Sequence, residues 1–221
     1  MAGKEIARLK VIFQGIRPPI WRRLEVPLDF TFAQLSEVIL AAFGWTNSRL
    51  HQFEVGKRRQ PGQRSIGRPD LLDEDEDDFL PPTDEELARL FPGLAKEQAR
   101  LFFPPPLEEE RKVTLAAVLR SGQRLLYLYD FGDDWRHTVL VEAILPAEKY
   151  TVYPRVTAGR RSAPPEDSGG VWGYEHLLAV LADPTEEEYA ELRECYPYFR
   201  PGQFDLAEAN ERVRHPLPFW E

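Results

Sequence analysis

The stretch from Leu125 to Leu145, LLYLYDFGDDWRHTVLVEAIL, constrains the fold more than any other part of this chain. Two runs rich in β-branched, aromatic and leucine residues flank Phe131-Gly132-Asp133-Asp134, and turn-forming residues between two such runs predict an antiparallel hairpin. Alternation along a strand then puts Trp135, His137, Val139 and Val141 on one face of the returning strand, with Asp130, Leu126 and Leu128 sharing a face of the first.

Other elements follow from the same reading. Ile6, Leu9, Val11 and Phe13 approximate period two and predict a first strand. Pro18-Pro19 excludes helix at Arg17, and a second strand, a candidate edge strand, follows from Ile20 to Val26. Thr31 opens T-F-A-Q, a capping box, and Leu35, Val38, Ile39 and Ala42 continue at helical spacing until Gly44. His51 to Val55 reads as a short strand. Between residues 57 and 112 a basic stretch (Lys57, Arg58, Arg59, Arg64, Arg68) gives way to the acidic run Asp73 to Asp78, a solvated loop by its self-repulsion, and residues 57–80 are expected to be mobile because their charge blocks leave little to bury. A helical pattern resumes at Asp84, and the whole segment reads as a charged insertion within one domain spanning 1–221. Val113 to Leu119 predicts a short helix. The stretch from Pro154 to Gly170 reads as a loop, Tyr174 to Leu181 as a helix, Asp183-Pro184-Thr185-Glu186 as the start of another, and Asp205 to Val213 as the last.

Composition narrows the function classes. With 43% hydrophobic residues, a chain of 221 residues can fill a core. A formal charge of -9 repels phosphate backbones and anionic lipid, so nucleic-acid contact would need a local basic patch and a membrane partner is not expected. The single cysteine, Cys195, excludes an internal disulfide and paired-cysteine metal sites, and suits a reducing cytoplasm. Charges interrupt MAGKEIARLKVIF before an export or anchoring segment could form.

Three separated motifs, PPIWRRLEVP with the helix ending AAFGW, the hairpin YLYDFGDDWRHTVLVE, and PPEDSGGVWGYEHLLAVLADP, resemble the plasmid Ri ORF-three-like (pRiA) family, whose members are often labelled TnpR-type passenger proteins of insertion elements. The closing FDLAEANERVR extends the resemblance over most of the chain outside 57–112. It implies an α+β fold, a largely antiparallel sheet with helices packed mainly on one side, and carries no defined activity. Many members of that family have cysteine where this chain has Ala163 and histidine where it has Arg49, so neither position is expected to supply an essential ligand.

Two chemistries compete for the motif residues. Asp130, Asp133, Asp134, His137, Glu142, Glu166 and Asp167 form a carboxylate-rich set with one imidazole. Asp130, Asp133, His137, Glu166 and Asp167 are the candidates to hold a divalent metal ion, as a metal-dependent hydrolase or nuclease requires. On this reading clustered carboxylates would raise the pKa of His137. The same aspartates also suit tight turns, where their side chains accept amide hydrogens two residues on, while Gly132, Gly169 and Gly170 let the chain reverse. Arg17, Arg22, Arg23, Arg160 and Arg161 are the candidate nucleic-acid contacts, with Trp21, Trp45 and Tyr153 as stacking faces. The leading reading is a non-enzymatic binding or interaction protein with a protein partner, linked to mobile genetic elements. Its hairpin and P-P-E-D loops are expected to be neighbours forming one shared polar site.

Overall fold

A computed structural model describes residues 4–58, 60–69, 82–103 and 105–217. The strands are β1 (Glu5–Phe13), β2 (Trp21–Pro27), β3 (His51–Val55), β4 (Arg64–Gly67), β5 (Leu107–Glu109), β6 (Arg124–Tyr129), β7 (Trp135–Pro146) and β8 (Arg155–Arg160). The helices are α1 (Phe32–Phe43), α2 (Asp84–Leu90), α3 (Lys96–Arg100), α4 (Leu115–Val118), α5 (Gly170–Ala182), α6 (Tyr189–Cys195) and α7 (Leu206–Arg214). The strands form one open sheet in the order β5-β4-β3-β6-β7-β1-β2-β8. Every neighbouring pair is antiparallel except β4 and β5. The fold is α+β, as the motif resemblance implies.

Register builds the core in rows. Phe53, Tyr127, His137 and Phe13 stand side by side across β3, β6, β7 and β1, and Val55, Leu125, Val139 and Val11 form the next row. Period-two alternation puts these residues on one face, where α1 covers them with Leu35, Val38 and Ile39. A buried hydrogen bond of 2.7 Å between the Ser36 and Tyr127 hydroxyls ties α1 to β6. The capping box at Thr31 forms in both directions, and Gly44 ends α1 at φ 86°.

The opposite face carries ion pairs between strands. Arg8 and Arg155 both reach Glu25, at 2.8 and 2.6 Å, and Arg23 grips Glu142 with two hydrogen bonds of 2.7 and 2.9 Å. Burial pushes the Glu25 carboxyl up, but hydrogen bonds from Arg8 and Arg155 outweigh it and leave its pKa lowered.

Several expectations are corrected. β2 is not an edge strand, since β1 and β8 pair with it on either side. The supposed loop after Pro154 contains β8, a strand without apolar alternation that is held by main-chain pairing to β2. The helix expected from Asp183 starts later, at Tyr189, because the Asp183 carboxylate accepts both the amide and the hydroxyl of Thr185 and closes a turn instead. α5 starts at Gly170, ahead of Tyr174. Within 57–112, β4 and β5 extend the sheet beyond β3, so part of the stretch expected to be mobile is instead a paired strand with Ser65 and Ile66 buried; the acidic run Asp73 to Asp78 lies outside the described residues.

Candidate functional site

The hairpin turn after β6 and the loop before α5 meet at the end of the sheet. Asp130 adopts φ 55°, and its Oδ1 accepts the amides of Gly132 and Asp133 at 3.0 and 3.2 Å, which closes the turn on itself. Asp133 Oδ2 then accepts the Gly169 amide at 3.2 Å, across the two loops. The approach leaves no room for a side chain: a Cβ on Gly170 would overlap the Asp133 carbonyl oxygen, and one on Gly173 the Ser168 carbonyl oxygen.

The segment between α1 and β3 completes the arrangement. Glu166 accepts the Thr46 amide at 2.9 Å on Oε2 and the Tyr129 hydroxyl at 2.8 Å on Oε1. Burial, and then that acceptance by Glu166, raises the pKa of the Tyr129 phenol and keeps it protonated. Trp45 donates from Nε1 to the Pro164 carbonyl at 2.9 Å and stacks on Tyr129 at 5.0 Å. Arg49 donates to Asp167 at 2.6 Å and approaches Asp130 at 3.6 Å, so one guanidinium spans both loops. Asp134 pairs with Arg136 at 2.9 Å.

Asp130, Asp133, Glu166 and Asp167 are thus brought together, and His137 is not among them. It faces the core, fully buried against Phe13, Phe43, Trp45 and Tyr127. Its Nδ1 lies 3.3 Å from the Tyr127 carbonyl, which fits a proton on that nitrogen. Burial lowers its pKa to about 3, against the rise expected from carboxylate neighbours.

The arginine set separates too. Adjacent residues on a strand point to opposite sides, so Arg22 enters the core while Arg23 joins Glu142 on the other face. Arg17 and Arg160 are exposed and Arg161 is half-buried. Trp21 is covered by Lys10 and Arg23, and Trp45 is buried, so neither offers a free stacking face.

Two adjoining cavities lie beside the motif loops. One, of about 310 Å³, is walled by Trp45, Pro164, Pro165, Glu166, Tyr196 and Pro197. The other, of about 420 Å³, contains Arg22, Arg200 and Arg212, and both share Phe43, Gly44, Ala163, Tyr198 and Phe199. Sequence reasoning missed this groove and the role of Arg49. The aromatic and proline-rich run YPYFRPGQF between α6 and α7 was the available signal.

The plasmid pRiA4b ORF-3-like protein family matches residues 5–208. The chain belongs to this family. The pRiA4b ORF-3-like chain is 33% identical over 206 residues to the uncharacterized protein y4hQ of Sinorhizobium fredii, which covers 93% of this chain and 86% of that protein. Its fold is similar to the crystal structure of MM3350 from Methanosarcina mazei Go1, a protein of unknown function. There the TM-score is 0.72 and the identity 33%, over 94% of this chain and 98% of the other.

The contact between the loops makes a prediction for this pRiA4b ORF-3-like chain. Gly170→Ala adds a left-handed penalty at φ 66° to an overlap with Asp133, and is expected to destabilise by about 2–4 kcal/mol. Gly169→Ala keeps the strain of φ 81° but would meet only Gly173, at 3.5 Å, and is expected to lose about 1–2 kcal/mol. Equal losses in urea melts would show that the contact with Asp133 does not constrain this position.

Proposed function

We propose that this chain is a non-enzymatic binding protein that recognises a small organic molecule in the groove beside its two motif loops. The supporting observation is that each loop carboxylate already has an internal donor: Asp130 and Asp133 hold loop amides, Glu166 holds Thr46 and Tyr129, and Asp167 and Asp134 hold arginines. Such carboxylates act as struts that position the groove wall. A metal-dependent hydrolase or nuclease would need several of those oxygens free and convergent with a nitrogen ligand, whereas His137 faces the core. Among the described residues no group of three His, Cys, Asp or Glu side chains is arranged to hold an ion.

Nucleic acid is disfavoured as the partner by the charge of -9 and by the engagement of Arg22 in the core and of Arg23 with Glu142 on the opposite face. A TnpR-type role would need that contact and forms no part of the proposal. The association with mobile genetic elements is supported by the plasmid named in the family's description. A cytoplasmic setting is supported by the exposed free thiol of Cys195; no helix among the described residues is long and apolar enough to cross a membrane.

Purified protein given Mg²⁺ or Mn²⁺ and bis(p-nitrophenyl) phosphate is expected to show no turnover above buffer. Glu166→Gln, which leaves one of two donors without its carboxylate acceptor, is expected to lower stability by about 1–2 kcal/mol. Metal-dependent hydrolysis that disappears in Glu166→Gln would replace this reading with the hydrolase.

A further inference from the structure

Arg22 occupies a core position that alternation on β2 would assign to an apolar side chain, on the same face as Leu24 and Val26. It is 2% exposed. Its Nε donates to the Ala42 carbonyl at 3.0 Å, and its Nη1 to the carbonyls of Trp21 and Arg160 at 2.9 and 3.2 Å. Phe43 and Phe204 lie against the guanidinium, 4.9 and 4.2 Å from their ring centroids. Gly159 faces Arg22 in the register of β8; a Cβ there would come within 2.6 Å of the Phe204 ring and 2.9 Å of Arg22 Cδ. The absence of a side chain at Gly159 is therefore what lets the ring close over the cation.

The charge is unmatched by any described carboxylate. Among the described residues no carboxylate pairs with Arg22, and Nη2 makes no hydrogen bond. The charged group that acts on it is a second cation, Arg212; burial first and Arg212 second lower the guanidinium pKa to about 9. Carbonyl acceptors satisfy some of its protons, but a cation with most of its surface removed from water is costly without an accompanying anion. The two carboxylates in the cavity wall are engaged elsewhere. Glu208 binds Arg212 at 2.6 Å, and Asp205 caps α7 by accepting the Glu208 amide at 2.9 Å. Among the described residues Arg200, at the exposed side, donates to the carbonyls of Pro197 and Phe199 and pairs with no carboxylate.

We propose that the cavity around Arg22 is an oxyanion site, in which Arg22 Nη2, with Arg200 and Arg212, receives the carboxylate or phosphate of a small organic molecule whose apolar part lies against Trp45, Pro165 and Tyr196. This rests on the reading of the groove as the binding surface. The planar arginine fork suits either oxyanion, and cavities of about 420 and 310 Å³ are in the size range of small-molecule sites.

Calorimetric titration of the full chain with phenyl phosphate, benzoate and benzyl alcohol tests the site. At least one oxyanion is expected to bind roughly tenfold or more tightly than the neutral alcohol, because a charge-assisted contact is replaced by a neutral one. The tighter of the two identifies the headgroup. Arg22→Gln is expected to abolish that preference, with near-ultraviolet circular dichroism reporting whether this buried substitution folds. Arg200→Gln, at an exposed position, is expected to weaken oxyanion binding several-fold and leave benzyl alcohol unaffected; it decides the matter if Arg22→Gln does not fold. Equal binding of all three probes overturns the oxyanion site while keeping the groove as a binding surface. Binding of none overturns both, and an oxyanion preference that survives in Arg200→Gln and in folded Arg22→Gln overturns the assignment to this cavity.

Discussion

Truncation of Trp135 to alanine is expected to lower the unfolding free energy by about 3–5 kcal/mol, through lost transfer energy and the cavity left behind. The indole is 1% exposed at the start of β7, opposite Tyr129 in the hairpin register. It packs edge-on against Phe13 at 5.8 Å and lies 5.8 Å from Trp45. Trp45 in turn stacks on Tyr129 and donates to the Pro164 carbonyl, so the cavity opens beside a side chain that anchors the second motif loop. A hydroxyl or a charge at the position restores no volume and should fare no better than alanine. Urea melts are the measurement: an unchanged midpoint with an unchanged slope would mean that the indole contributes nothing to the packed core.

Acid should destabilise this protein through His137 in a way that a phenylalanine at the same position removes. The folded-state pKa is about 3 and the ordinary value 6.5, so the neutral ring is the form the fold accepts. Between those limits the unfolded chain binds a proton that the folded chain refuses. The contribution of His137 is therefore fully present above pH 6.5 and is lost progressively as pH falls towards 3, at up to about 1.4 kcal/mol per pH unit. From pH 7 to pH 4 the loss is about 3 kcal/mol. Carboxylates held below their ordinary pKa, such as Glu25 and Glu142, also lose stabilisation in acid, but they do so in both proteins. The difference in pH dependence between wild type and His137→Phe isolates the imidazole. Parallel stability profiles for the two would show that His137 takes up its proton without disturbing the core. The same burial that produces the effect removes His137 from any proton transfer on a ligand in the groove.

These two residues mark the boundary between what a linear reading can and cannot decide. Alternation around Phe131-Gly132-Asp133-Asp134 was sufficient to pair β6 with β7 and to put Trp135, His137, Val139 and Val141 on one face, because strand geometry acts between near neighbours. The capping box at Thr31 and the stop at Gly44 were legible for the same reason: each is a contact within one turn of chain. Which face of a strand became the interior required the other strands. His137 sits three residues from a cluster of aspartates in sequence, yet alternation turns it into a row with Phe13 and Tyr127.

The same limit separated Arg22 from Arg23, neighbours that the sequence presents as one basic patch and the sheet sends to opposite sides. β8 escaped notice because it has almost no apolar alternation; its place comes from hydrogen bonds to β2, which depend on backbone and not on side-chain type. Local sequence determined the turns, the caps and the polar motif loops. Long-range register decided that Arg49 would clamp two of those loops, that Gly159 would lie against Phe204, and that the Arg22 guanidinium would be buried with no carboxylate partner among the described residues, because each of these joins segments too far apart in the chain for any periodicity to connect.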